Sequence, residues 1–384
     1  MPRALLLLCC AGLLIGCQRT AVTAAGSELA AAAPLDVLRA GAGTVGFAQA
    51  LAPREFVFPA DHGAHRDFRH EWWYVTGNLR GADGARYGIE LTIFRVALAP
   101  PGATAPVSAV PTSRWHTNQL YAAHFAVTDV ARGAFDSSER YGREALGLAG
   151  AQTNPLRVWV GGWSLAAADP QREWTLNAAD EHVELALRLQ PLVAPVANGE
   201  RGLSVKSSES GAASYYYCIP RLAVSGELAR DGASIEVSGE AWLDREWGSG
   251  GLGRAQSGWD WYALQFRDGS ALMFYALRGQ AAERDAHSAG TWVGADGSSR
   301  RLASADVDID VLRHWTSPRG GVYPAAWRIR VASLALDIEV TPVLADQELA
   351  ASPRYWEGAV DVRGARGGAS TAGEGYVELV GYAR

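Results

Sequence analysis

The chain has 384 residues, 48% of them hydrophobic and 20% charged, with 43 glycines and 17 prolines. It can therefore bury a sizeable core, and the disordered and collagen-like classes are excluded. With 35 basic against 41 acidic residues the net charge is −6, which leaves no electrostatic footprint for a polyanion and excludes nucleic acid as a partner.

In chain order, residues 1–16 read as a leader: Arg3 is a short basic region, Leu5 to Ile15 an apolar one, and Leu14-Ile15-Gly16-Cys17 a small-residue cleavage site ending in cysteine. This resembles a bacterial lipobox. It implies cleavage before Cys17 and acylation of that residue, so a lipid-anchored lipoprotein on the periplasmic side of the cell envelope is expected. No later run approaches the roughly 18 apolar residues of a spanning helix. Cys9 and Cys10 would leave with the leader and Cys17 would carry lipid, which leaves Cys218 without a partner and predicts no intrachain disulfide. Residues 17–54, rich in Ala, Gly and Ser, read as a tether.

From Glu55 onward short segments rich in Val, Ile, Leu, Trp and Tyr recur between turn signals, with no 3.6-residue stripe of helical length. The class is all-β. Alternation is clearest where Val183, Leu185, Leu187 and Leu189 interleave with Glu184, Ala186, Arg188 and Gln190. Asp-Gly steps at 83–84, 231–232, 268–269 and 296–297 supply the positive-φ residues of tight hairpins. Antiparallel strands over such a length must hide their edges, and two β-barrel domains, 55–240 and 241–384, fit best.

Aromatic triplets stand at Trp72-Trp73-Tyr74, Tyr215-Tyr216-Tyr217 and, around an aspartate, Trp259-Asp260-Trp261-Tyr262. Neighbouring strand residues face opposite ways, so the outer rings of each triplet share a face and the middle residue takes the other. If one face lines a barrel interior, it suits a large apolar or conjugated ligand; the alternative is that the rings fill a core.

Asp61-His62-Gly63-Ala64-His65 with Phe68 and Glu71-Trp72-Trp73-Tyr74-Val75-Thr76-Gly77-Asn78-Leu79 resembles the opening of the AttH and carotenoid 1,2-hydratase family of tandem lipocalin-like secreted proteins. Later stretches agree in order: Ala241 to Ser249 with Gly258 to Tyr262; Trp315 to Pro318 with Tyr323-Pro324; and Leu344 to Leu349 with Tyr355 to Gly358. The resemblance implies two tandem lipocalin-like antiparallel barrels over residues 55 to 384. Members are described as hydratases or secreted hydrolases, while others resemble accessory proteins of ABC exporters.

Hydrating an isoprenoid alkene needs a protonated acid, an electron-rich wall to tolerate the cation, and a steered water. A carboxyl buried among aromatics supplies the first two, because burial raises its pKa and ring faces stabilise a cation. Asp260, between two tryptophans, leads as the acid, followed by Asp244 and Glu246. Trp72, Trp73, Tyr74, His124, Trp247, Trp259, Trp261 and Tyr262 are the expected ligand-binding residues. Arg245 stands where the family motif has His, and arginine cannot exchange a proton near neutrality. His62, His65 and His70 with Asp61 and Glu71 lack the spacing of a metal scaffold, so hydrogen bonding at a strand entry is expected there and neither metal nor cofactor is assigned. Only one basic residue is a lysine, Lys206, so Schiff-base chemistry has a single candidate. Two classes follow: a cofactor-independent hydratase or hydrolase of a lipophilic isoprenoid-like molecule, or a non-catalytic carrier of such a molecule serving an ABC exporter.

Overall fold

The computed structural model describes residues 44–103 and 114–383. The expected leader, its Cys17 and most of the tether lie outside the described residues. The described residues are 61% strand and 3% helix, and the expected all-β class holds. The first sheet contains β1 (His70–Gly81), β2 (Arg86–Ala97), β3 (Gln119–Asp129), β4 (Ala134–Arg143), β5 (Ala149–Thr153), β6 (Leu156–Val160), β7 (Trp163–Asp169), β8 (Glu173–Ala179), β9 (Val183–Pro191), β10 (Val196–Ala197), β11 (Leu203–Val205), β12 (Ala213–Arg230) and β13 (Ala233–Gly248). The second contains β14 (Gln256–Phe266), β15 (Ala271–Gly279), β16 (Ala289–Val293), β17 (Ser299–Ala303), β18 (Asp308–Thr316), β19 (Val322–Val331), β20 (Leu336–Pro342), β21 (Glu348–Leu349), β22 (Tyr355–Arg366) and β23 (Ala369–Val380).

The first sheet runs β4-β3-β2-β1-β13-β12-β9-β8-β7-β6-β5, with β10 and β11 paired to β12. Its two ends, β4 and β5, approach each other, so the sheet nearly closes into a barrel. The second runs β17-β16-β15-β14-β23-β22-β20-β19-β18 and curls into half a barrel. All four Asp-Gly steps join adjacent antiparallel strands; between β12 and β13, Asp231 and Gly232 take φ of +51° and +82°, as a two-residue turn matched to strand twist requires. The expected boundary between residues 240 and 241 falls inside β13, whose residues all pair within the first sheet. Sheet membership changes instead between Gly248 and Gln256, because β13 runs on for 16 residues after the Asp231-Gly232 turn.

Alternation then sorts the side chains. In the first sheet Trp73, Val75, Leu91, Ile93, Tyr217, Leu243 and Trp247 point inward to fill the barrel. In the second, Tyr262, Leu264, Phe266, Trp327 and Trp356 fill the concave side. The opposite faces of both sheets meet, and Tyr74, Tyr216, Trp242, Trp261, Met273, Tyr275 and Tyr376 form a third apolar layer between them.

Candidate active site

Register places one row of side chains across the outer face of the first sheet. Glu246 lies opposite Trp72 on β1 and Tyr216 on β12, and Asp244 lies opposite Tyr74 and Cys218. The facing row on the second sheet runs Glu357, Glu378, Trp261 and Tyr275 across β22, β23, β14 and β15. Between the rows lies a cavity of about 170 Å³, roughly ten times what a single water needs. Its walls are aromatic (Trp72, Phe94, Trp259, Trp261, Tyr275 and Tyr355), and Asp244, Glu246, Glu378, Lys206, Ser214, Tyr216, His70 and His124 supply the polar groups.

These carboxyls are differentiated by their surroundings. Asp244 accepts hydrogen bonds from the Tyr216 hydroxyl and the Trp242 indole N–H, both at 2.7 Å. Burial nevertheless pushes its pKa up to about 8, against those two hydrogen bonds and with help from the neighbouring Glu246 charge. Glu246, two residues along the same face, accepts from Ser214 and forms an ion pair with Lys206 at 3.0 Å. Burial would strip the Lys206 ammonium of its proton, yet the Glu246 carboxylate outweighs it and holds the lysine pKa above its ordinary value. From the opposite wall Glu378 accepts from the Trp259 indole; burial raises its pKa to about 7. Behind it Glu357 accepts from Tyr74 at 2.7 Å, and Glu90 accepts from Thr92. Burial, then the charges of the other glutamates, hold both well above the usual carboxylate range. His70 and His124 are driven down by burial, to about 3 and about 4, and so are neutral imidazoles at pH 7. The site thus holds a protonated carboxyl and an ion-paired carboxylate side by side, the division of labour general acid–base chemistry needs.

Of the residues expected from sequence, Asp244, Glu246, Trp72, Tyr74, His124, Trp259 and Trp261 line this cavity. Asp260 does not. Alternation along β14 turns it, with Tyr262, to the concave side of the second sheet, where it pairs with Arg278 at 3.2 Å and accepts from the Tyr382 hydroxyl at 3.0 Å. Tyr262 packs against Trp327 in that core. Trp73 and Trp247 face the interior of the first barrel, Trp247 stacked 3.7 Å from His65. The cavity therefore lies in the seam between the sheets rather than in a barrel interior, because both interiors are filled by large side chains.

Arg245 also points into the first barrel, lying 3.9 Å from the Trp73 ring and pairing with Glu71 at 2.9 Å. Arg95 reaches the same carboxylate, and together with His65 they outweigh burial and hold Glu71 well below the usual range. His65 bridges Asp61 and Glu71, His62 meets Tyr217 at 2.6 Å, and His70 turns away to the cavity. Among the described residues no grouping of His, Cys, Asp and Glu could hold a metal ion. Sequence reasoning missed Tyr216 and Ser214 as partners of the carboxyls and missed Glu378 altogether; Lys206 carried a signal, its singularity in the composition.

Comparison with known proteins adds kinship to this geometry. No curated protein matches the chain. The crystal structure of a putative AttH from Nitrosomonas europaea is 36% identical, with a TM-score of 0.76 over 87% of this chain and 100% of that one. Kievitone hydratase from Nectria haematococca shares the fold, at 16% identity and a TM-score of 0.66 over 88% of this chain and 96% of its own. The AttH-like family model matches residues 49–382, and the chain belongs to that family.

Proposed function

We propose that the protein adds water to an electron-rich carbon–carbon double bond of a lipophilic, isoprenoid-like molecule held between the two sheets. The observation that carries this reading is Asp244, a carboxyl on an aromatic cavity wall whose pKa of about 8 keeps it protonated at neutral pH. Its proton passes to one alkene carbon, the π pair forming the new C–H bond, and the adjacent carbon becomes cationic. Trp72, Trp259 and Trp261 line the cavity and supply the aromatic surroundings that stabilise such a charge. Water then bonds to the cation and gives a proton to the Glu246 carboxylate, and return of that proton to Asp244 resets the site. Arg245 faces away from the cavity, so its replacement of a histidine removes no proton carrier from this scheme. The hydratase named among the fold relatives supports the reading. Acylation at Cys17 is part of the proposal and would hold the site beside a membrane, where a lipophile is concentrated.

The test is incubation with acyclic carotenoid and terpenoid alkenes in ¹⁸O water. Label should enter product with the wild type, and Asp244→Asn, which keeps the shape, an acceptor for the Trp242 indole and an N–H that can donate to the Tyr216 hydroxyl, should lower turnover by about 10² to 10⁴ fold while ligand affinity persists. Binding without incorporation by the wild type would instead identify a carrier, such as an accessory of an ABC exporter.

A further inference from the structure

Lys206 is the single lysine of the chain, and it stands in the cavity wall. Its backbone is fixed from both sides: its N–H donates to the Ala212 carbonyl at 2.8 Å, and its carbonyl accepts from Gln256 at 2.7 Å. The side chain is only 11% exposed, and its ammonium rests 4.0 Å from the centre of the Tyr275 ring. An ammonium carries three N–H donors. Of these, Glu246 takes one at 3.0 Å, and the Tyr275 and Tyr216 ring faces offer the charge only diffuse compensation. Ser214 donates to the same carboxylate oxygen of Glu246, so that oxygen is shared between the lysine and the serine.

A buried cation with donors to spare, on a wall otherwise aromatic, calls for an acceptor from the ligand. The chemistry of that acceptor can be narrowed. Glu246 already cancels the lysine charge, so a fully charged carboxylate or phosphate would meet little net attraction while losing its hydration. A carbonyl, enol or phenol oxygen loses far less and still gains a directed hydrogen bond.

We propose that Lys206 reads such an oxygen on an otherwise apolar substrate, making the ligand an oxygenated isoprenoid rather than a plain hydrocarbon. This rests on the reading of the cavity as a hydration site. Asp244 and Glu246 are two residues apart on one strand face, so the reacting double bond lies on the order of 7 Å from that oxygen. Lys206 acts here as a donor, not a nucleophile, because its pairing with Glu246 keeps it an ammonium.

The experiment measures equilibrium binding by quenching of tryptophan fluorescence with two matched probes, an acyclic terpenoid ketone and the hydrocarbon of the same skeleton. Wild type should bind the ketone about tenfold more tightly or better. Lys206→Met, which keeps the stem and removes the donors, should abolish that preference and leave hydrocarbon affinity unchanged. Should the lone Glu246 then destabilise the fold, Lys206→Met with Glu246→Gln removes both charges together and should show the same loss. Equal wild-type affinity for the two probes, or a preference that survives in either variant, overturns the role of Lys206 while leaving Asp244 as the acid. Ketone preference without ¹⁸O incorporation does the reverse, and binding of neither probe overturns both.

Discussion

Asp244 and Asp260 are both buried carboxyls beside tryptophans, yet only Asp244 faces the cavity. What separates them is the parity of their positions. On β14 the tryptophans 259 and 261 face the seam, so the aspartate between them must face the other way. There it neutralises Arg278, whose guanidinium lies 3.6 Å from the Tyr382 ring. Burial lifts the Asp260 pKa to about 6 against the Arg278 charge and the Tyr382 hydrogen bond, so it is ionised and paired at neutral pH. Asp260→Asn should therefore cost about 1–3 kcal/mol of stability and leave kcat unchanged. Thermal melting and ¹⁸O turnover measured on the same preparation check this, and a selective loss of turnover would return Asp260 to the mechanism.

β13 ties the molecule together, pairing with β1 on one side and β12 on the other. Inner residues Leu243, Arg245 and Trp247 fill the barrel, while Trp242, Asp244 and Glu246 build the cavity wall or support it. Its register depends on Gly239, where an added Cβ would stand 2.1 Å from the Asn78 carbonyl oxygen. Gly239→Ala must push β1 and β13 apart and should cost about 1–3 kcal/mol; amide exchange along both strands, faster in the variant, is the measure. The period-two pattern and the Asp-Gly turns were legible from sequence, and they gave the all-β class and the sharing of faces within each aromatic triplet. The face that bears the cavity was not, because two sheets that pack through their outer faces leave no local trace distinguishing that face from a barrel interior. Glu378 lies in an unremarkable run from Gly375 to Val380, and its importance arises only where Trp259 and Glu357 meet it. Arg245 drew notice as a departure from a motif, whereas its direction follows from parity with Leu243 and Trp247.

Above about pH 5, where the lowered carboxyls Asp61 and Glu71 are largely ionised in folded and unfolded chain alike, the buried titrating groups set an acid-shifted stability profile. Asp244, Glu378 and Asp260 have folded pKa values of about 8, 7 and 6, and Glu90 and Glu357 are raised as well. Each retains a proton that the unfolded chain releases, so each contributes stability that is complete below the unfolded carboxylate range and is lost as pH rises through the folded value. His62, His70 and His124, depressed to about 3, 3 and 4, oppose this below about pH 6.5, but they are three against five. Melting temperature should therefore fall between about pH 5 and about pH 8, and Glu378→Gln should flatten the slope. A melting temperature that climbs over that interval would contradict the buried-acid arrangement.

The contact between Tyr74 and Glu357 joins residues 283 positions apart, and Glu378 lies on the last strand of its sheet. Chain connectivity therefore imposes a schedule on the site. The first barrel can close once β13 has met β1, but the second wall of the cavity stays incomplete until β22 and β23 bring Tyr355 and Glu378. Contacts of such separation form late and slowly, so completion of the cavity should trail formation of most secondary structure, and refolding followed by binding of the proposed lipophile should lag behind refolding followed by circular dichroism.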